Sequence, residues 1–307
     1  IVVRLVGSEM CIRDSIMAGG MGSRYGGLKQ VDSFGPNNES ILDYSIHDAL
    51  KAGFTKIVIL SSPKLEKYFE DKYLKIFKNK IDCDLDIVIQ DPNYGLGSHT
   101  LPKSREKPWG TGHAVLCCEN FINNSFSIIN ADDFYGREAF FKILETLKYI
   151  EKNNIQSSIV SYLIENTLSE FGGVSRGVCE TENNTLLSIK ETHELQENDN
   201  IVIGKYDNET VYHKLGTQVA MNLIGFQKTI FEKLNNDFSI FLSDNINDPK
   251  KEFLIPDVVN DLIEDKVHVE KTDESWFGVT YQEDKKLVTK KIKELIEIGK
   301  YPHNLWE

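Results

Sequence analysis

Residues 15–30 read SIMAGGMGSRYGGLKQ, with five glycines within residues 16–27 and an arginine and a lysine beside them. Between Ile16 and Val31 there is no carboxylate, in a chain that carries 47. Small residues let backbone N–H groups approach anionic oxygens closely, and the two cations, Arg24 and Lys29, neutralise the charge. A plain surface turn needs neither both cations nor so many glycines. Two familiar phosphate loops nearly fit and fail. Gly22 and Gly27 have P-loop spacing, but Leu28-Lys29-Gln30 follows where Lys-Ser/Thr is required, so the magnesium-binding hydroxyl is missing. Gly20 and Gly22 begin a dinucleotide fingerprint whose third glycine position holds Tyr25.

The rest of the composition narrows the classes. A chain of 307 residues makes one large domain or two modest ones. Its net charge of -12 argues against a general nucleic-acid or anionic-membrane binder, which needs surplus Lys and Arg. An anionic ligand therefore requires a locally basic pocket. Cys11, Cys83, Cys117, Cys118 and Cys179 form no CxxC pair and read as reduced thiols, an expectation of a cytoplasmic protein. No apolar run approaches the ~20 residues of a membrane span.

After residue 15, short β-branched runs alternate with amphipathic segments. Strand-like runs at 57–60, 85–89, 126–129 and 157–163 are separated by helix-like stretches at 63–77, 111–118 and 138–150. This alternation predicts a Rossmann-like, mostly parallel α/β sheet flanked by helices. Residues 173–179, 186–190 and 211–226 read as strands with turn-like Glu/Asn clusters between them, which predicts antiparallel strands inserted in the second half. Pro256 opens a helix through Ile263, and residues 284–298 form an amphipathic C-terminal helix.

Residues 18–30, AGGMGSRYGGLKQ, resemble the signature loop of the nucleotidyltransferases that make nucleoside-diphosphate sugars. The pattern is a small-residue turn, G-x-G-x-R, a spacer and a lysine. The likeness runs on through Ile41-Leu42-Asp43-Tyr44 and, in weaker form, over most of residues 16–307, which predicts a single nucleotidyltransferase domain. Residues 1–15 resemble no part of that family. They look like translated sequencing-adapter read-through and are expected to be non-native, leaving the first strand truncated.

The resemblance assigns roles to particular residues. Arg24 and Lys29 are the expected catalytic cations, and Ala18, Gly19, Gly20 and Gly22 the nucleotide-binding turn. Gly110 and Thr111, in Pro108-Trp109-Gly110-Thr111-Gly112, match the element that contacts the nucleobase, with Thr111 also placed to cap the following helix. Residues 100–107 carry Lys103, Arg105 and Lys107, cations suited to close over a triphosphate. His99 and His113 read as polar loop residues without metal-spaced partners. The apolar strand 126–129 ends in Asp132-Asp133, where open α/β sheets place ligands and where two carboxylates suit a hard cation. The resemblance makes Asp132, with Asp133 beside it, the Mg2+ ligand. Gly172, Glu191 and Asn222 are the expected sugar contacts, although Thr192-His193 stands where the family usually has Lys-Pro.

The implied reaction joins a nucleoside triphosphate and a sugar 1-phosphate, giving a nucleoside-diphosphate sugar and pyrophosphate. The attacking oxygen is already anionic, which agrees with the lack of a Ser/His/Asp or Cys/His constellation. Neither nucleic acid nor membrane is expected as a partner. Two other readings stay open: a non-sugar acceptor such as choline phosphate, and a catalytically inactive regulatory homologue. A departure lies at Trp276-Phe277-Gly278, where many members have a second magnesium aspartate in a W-x-D pattern. Either Asp273 or Glu274 replaces it, or a single protein carboxylate and waters suffice.

Overall fold

The computed structural model describes residues 13–17, 32–81, 83–169, 172–279 and 284–307. Strand β1 (Arg13–Met17) is central, parallel to β2 (Lys56–Ser61) on one side and to β4 (Phe126–Asn130) on the other. Outside β2 lies β3 (Asp84–Ile89), also parallel. Beyond β4 come β11 (Gln218–Phe226), which runs antiparallel, and then β6 (Ser157–Leu163) and β12 (Val267–Thr272), parallel to each other. The mixed, mostly parallel sheet predicted from the alternation is thus present. Three of the five β1 residues fall in the segment expected to be foreign to the fold.

All of β2 is buried, as a parallel strand covered on both faces must be. Successive side chains point to opposite faces. Ile57 and Ile59 join one core layer with Leu42, Ile46 and Ala49 of α1 (Ile41–Ala52) and Phe140, Ile143 and Leu147 of α5 (Arg137–Asn153). Val58 and Leu60 join the other, with Val115 of α4 (Thr111–Leu116), Leu234 and Phe238 of α6 (Ile230–Asn245), and Val259 of α7 (Ile255–Asp261). A smaller cluster seats α8 (Asp284–Glu297), whose Val288 and Ile292 pack with Phe34, Phe134, Phe277 and Tyr301.

Several boundaries differ from the sequence reading. The stretch 63–77 is not one helix but α2 (Glu66–Phe69), a π-turn over Glu70–Leu74 and α3 (Lys75–Lys80). Residues 211–226 are not one strand: β10 (Glu209–Lys214) ends before a turn at Gly216, and β11 follows. The Glu/Asn-rich interval is itself structured, because β8 (Thr185–Asn198) runs long and β9 (Ile201–Tyr206) pairs with it. Those strands project as a ladder in which polar side chains face solvent, so the apolar pattern that marks a buried strand is missing. β7 (Val174–Glu182) pairs with both β8 and β11 and ties this extension to the main sheet. Helix α6 and strand β12 have no counterpart in the sequence reading. Burial pushes the Cys117 and Cys179 thiols up to about 12. Among the described residues no helix is long and apolar enough to cross a membrane.

Candidate active site

The turn after β4 is built on a buried tyrosine. The Asn130 N–H donates to the Tyr135 hydroxyl oxygen at 3.0 Å, and that hydroxyl donates to the Met221 carbonyl at 3.0 Å. Tyr162 donates to the Tyr135 carbonyl at 2.8 Å. Burial holds both phenols well above their usual pKa, so they stay protonated and keep donating. The turn they support carries Asp132, half-buried, and Asp133, buried. Asp133 Oδ2 accepts from Asn130 Nδ2 at 2.9 Å. The Asp132–Asp133 donor set is all oxygen, which fits a hard divalent cation that takes its remaining ligands from substrate phosphates.

Asp133 begins β5 (Asp133–Phe134), which pairs antiparallel with β13 (Phe277–Gly278) so that Asp133 stands directly opposite Gly278. A Cβ at 278 would lie 2.5 Å from Asp133 Oδ1. The carboxylate missing from the Trp276-Phe277-Gly278 stretch therefore has a carboxylate across the ladder, and glycine is what leaves room for it. Neither expected replacement serves. Glu274 is held by Lys300 at 2.7 Å to both oxygens and accepts from the Glu138 N–H at 3.0 Å. Asp273 is open to solvent.

A cavity of about 540 Å³ opens beside Gly278, lined by Thr167, Gly172, Arg176, Trp276 and, from α8, Asp284 and Lys291. Gly172 thus lies in the cavity wall, with φ +147. Glu191 and Asn222 do not line it. Glu191 sits on β8 opposite Gly177, and loss of hydration raises its carboxyl pKa against the pull of His193 and Arg176. Asn222 occupies a bulge of β11 in the left-handed region, φ 61, directly after the Met221 carbonyl that Tyr135 grips. Bulges beside sites re-aim a side chain, and asparagine tolerates this backbone.

The Gly110–Thr111 element is packed differently from the sequence expectation. Gly110 has φ +100, and a Cβ there would meet the Phe253 backbone oxygen at 2.5 Å. The close approach that glycine permits is made by the chain leading into α7. The Thr111 hydroxyl accepts from the Ile255 N–H at 3.0 Å and so caps α7 rather than its own helix, whose cap residue is Gly110. Arg105 is likewise committed. Its guanidinium donates to the carbonyls of Lys107, Pro108 and Asp248 and lies 3.9 Å over the Trp109 ring, so it does not reach for a triphosphate. His113 is a buried residue of α4, not a loop residue: Nε2 meets the Tyr94 carbonyl at 3.0 Å and Nδ1 meets Gln90 at 3.3 Å. Burial lowers its pKa to about 4. Arg24, Lys29, Ala18, Gly19, Gly20 and Gly22 lie outside the described residues, which leave β1 at Met17 beside Asn130 and Leu60.

Sequence reasoning missed Arg176, because an arginine inside an alternating strand looks like a solvated edge residue.

A family model described as nucleotidyl transferase matches residues 15–279. No curated protein matches by sequence. Among solved structures, one described as a glucose-1-phosphate thymidylyltransferase from Bacillus anthracis, in complex with a sucrose, aligns with TM-score 0.61 at 13% identity. The alignment covers 92% of this chain and 96% of that one. The inositol-1-phosphate CTP transferase from T. maritima aligns with TM-score 0.56 at 13% identity, over 93% and 97% of the two chains. These likenesses establish a shared fold.

Two outcomes follow from the packing. Gly110→Ala combines a disfavoured φ with a backbone clash and should cost about 2–4 kcal/mol of stability, measured by thermal or urea unfolding. His113 is neutral in the folded protein, so between about pH 4 and 6.5 the unfolded chain binds the extra proton. Its contribution is complete above 6.5 and lost as pH falls toward 4. His113→Gln should flatten the pH dependence of the urea midpoint in that window.

Proposed function

The chain belongs to the nucleotidyl transferase family, and from that premise we propose that it transfers a nucleoside monophosphate from a triphosphate to a phosphorylated acceptor, a sugar 1-phosphate, releasing pyrophosphate. The observation that carries this reading is the Asp132–Asp133 turn at the end of β4, set against Gly278 at the edge of a cavity of about 540 Å³. Carboxyl ends of parallel strands are where open α/β sheets take their ligands. The two solved relatives are described by a sugar phosphate and a cyclitol phosphate respectively, so the acceptor panel should hold both kinds.

An acceptor phosphate oxygen forms a bond to the α-phosphorus as the bond from that phosphorus to the β-phosphate oxygen breaks. Pyrophosphate leaves with the electron pair. No strong base is needed, since the nucleophile is anionic. The obstacle is bringing two anions together, so the protein contributes positioning and charge neutralisation. Arg24 is assigned to the triphosphate and leaving pyrophosphate, and Lys29 to the α-phosphate and the attacking phosphate. Asp132 and Asp133 would hold Mg2+, which when bound neutralises triphosphate charge. The turn Ala18, Gly19, Gly20 and Gly22 would receive the nucleotide phosphates through backbone N–H groups. Gly172, in the cavity wall, is assigned to the sugar side of the same site.

Arg24→Ala, Lys29→Ala and Asp132→Asn are each expected to lower turnover by roughly 10²–10³-fold with the fold retained. Pyrophosphate release across a matrix of triphosphates and phosphorylated acceptors is the measurement. Near-wild-type release in a folded variant removes that residue from the mechanism, and no release with any pair rejects the reading.

A further inference from the structure

Arg176 is a half-buried cation that forms no ion pair with a carboxylate among the described residues. Its Nη1 donates to the Ser175 carbonyl at 2.8 Å and its Nη2 to the Thr167 carbonyl, while the buried Nε has no acceptor among the described residues. A guanidinium has five N–H donors, so these two bonds leave its capacity largely unused. Among the described residues no carboxylate stands within ion-pair distance of it. Asp133 and Glu191 act on it only from farther away, raising its pKa, and burial outweighs them, bringing it down to about 10. It remains charged at neutral pH. Burying a charge unpaired is expensive, and the cost is recovered when an anion arrives.

The group is also held in place. The guanidinium lies 4.7 Å from the Trp276 ring centre, so its plane is fixed before any ligand binds. Both residues line the cavity that runs to Gly278, and Gly278 abuts Asp133. From the opposite wall α8 contributes Lys291, whose Nζ lies 5.1 Å from the Phe277 ring centre and which forms no ion pair among the described residues. Among the described residues Asp284 is the acidic member of the lining. In a chain of net charge -12, the described residues of this lining carry two cations and one carboxylate. In the β7–β8 ladder Arg176 stands directly opposite Thr192. Directly opposed residues share a face of the sheet, so the positive charge on this rung is supplied from β7 and not from β8.

We propose that Arg176, assisted by Lys291, binds the phosphate group of the acceptor substrate in this cavity and thereby selects phosphate monoesters as acceptors. The assignment rests on the nucleotidyl transfer reading above and names the residue that holds the second substrate. A planar fork matched to two phosphate oxygens explains why arginine, rather than lysine, occupies this wall.

The test separates the two substrates and also works without turnover. α-D-Glucose 1-phosphate and myo-inositol 1-phosphate are titrated calorimetrically into wild type, Arg176→Gln, Arg176→Lys and Lys291→Gln, and KM is measured for acceptor and triphosphate separately. Arg176→Gln is expected to weaken acceptor binding and raise acceptor KM by roughly 10–10²-fold, with triphosphate KM unchanged. Arg176→Lys should recover part of the loss, and Lys291→Gln should show a smaller loss. Equal acceptor binding in wild type and Arg176→Gln overturns the proposal. A rise in triphosphate KM instead of acceptor KM also overturns it. So does the absence of binding of either phosphate monoester to wild type. Should Arg176→Gln fail to fold, undiminished binding in both Arg176→Lys and Lys291→Gln counts against it. Acceptor binding that depends on Arg176 in a protein that releases no pyrophosphate would support this site while rejecting the transfer reaction.

Discussion

Tyr135 joins three strands that the chain supplies far apart, two through its hydroxyl and one through its carbonyl. The hydroxyl accepts from the last residue of β4 and donates to β11 at Met221, while Tyr162 of β6 donates to the Tyr135 carbonyl. A buried Asn130 N–H without that acceptor would carry an unpaid desolvation penalty of about 1–3 kcal/mol. The bond instead fixes the turn on which Asp132 and Asp133 stand and sets it against the bulge that carries Asn222. Where those carboxylates sit is thus decided beneath the site, by groups that never meet a ligand.

The second half of the chain closes the other side. β7 and β8 form an antiparallel ladder whose β7 strand also pairs with β11, so the wall bearing Arg176 is anchored in the main sheet. β13 returns to pair with β5 and puts Gly278 against Asp133. Helix α8 then packs on Phe277 and Phe134 through the small apolar cluster and brings Lys291 to the cavity. Tyr301, after α8, donates to the buried carboxylate of Asp48, which Arg137 also meets at 3.2 Å. The C-terminal segment is thereby tied to α1 and α5.

Charged residues in this protein divide into those already paired and those still owed a partner. Arg105, Arg137 and Lys300 are absorbed by carbonyls, Asp48 and Glu274. Their cost of burial is balanced within the fold. Arg176 and Lys291 face the cavity and pair with no carboxylate among the described residues. Residue type alone cannot make that distinction, because a guanidinium that holds loops together and one that awaits an anion are the same letter.

The order of elements, the mostly parallel sheet, the late antiparallel strands and the carboxylate pair after β4 were legible in the sequence. Each rests on local pattern: β-branched runs, helical periodicity, and an apolar strand ending in two aspartates. The family resemblance was legible for a similar reason, since a glycine-rich loop needs its small residues and cations in one short stretch. Helix α6 and the long β8–β9 ladder were not, because their exposed faces carry polar residues that blur the periodic signal. The packing of Gly110 against Phe253, the commitment of Arg105, and the placement of Gly278 opposite Asp133 join residues more than 100 positions apart. Such distant contacts leave no local trace. The sequence by itself determined which chemistry the chain carries and the sheet on which it is mounted. Only the tertiary structure decided which charges are spent in holding that sheet together and which remain for a ligand, because pairing of buried charges is a property of space rather than of spacing.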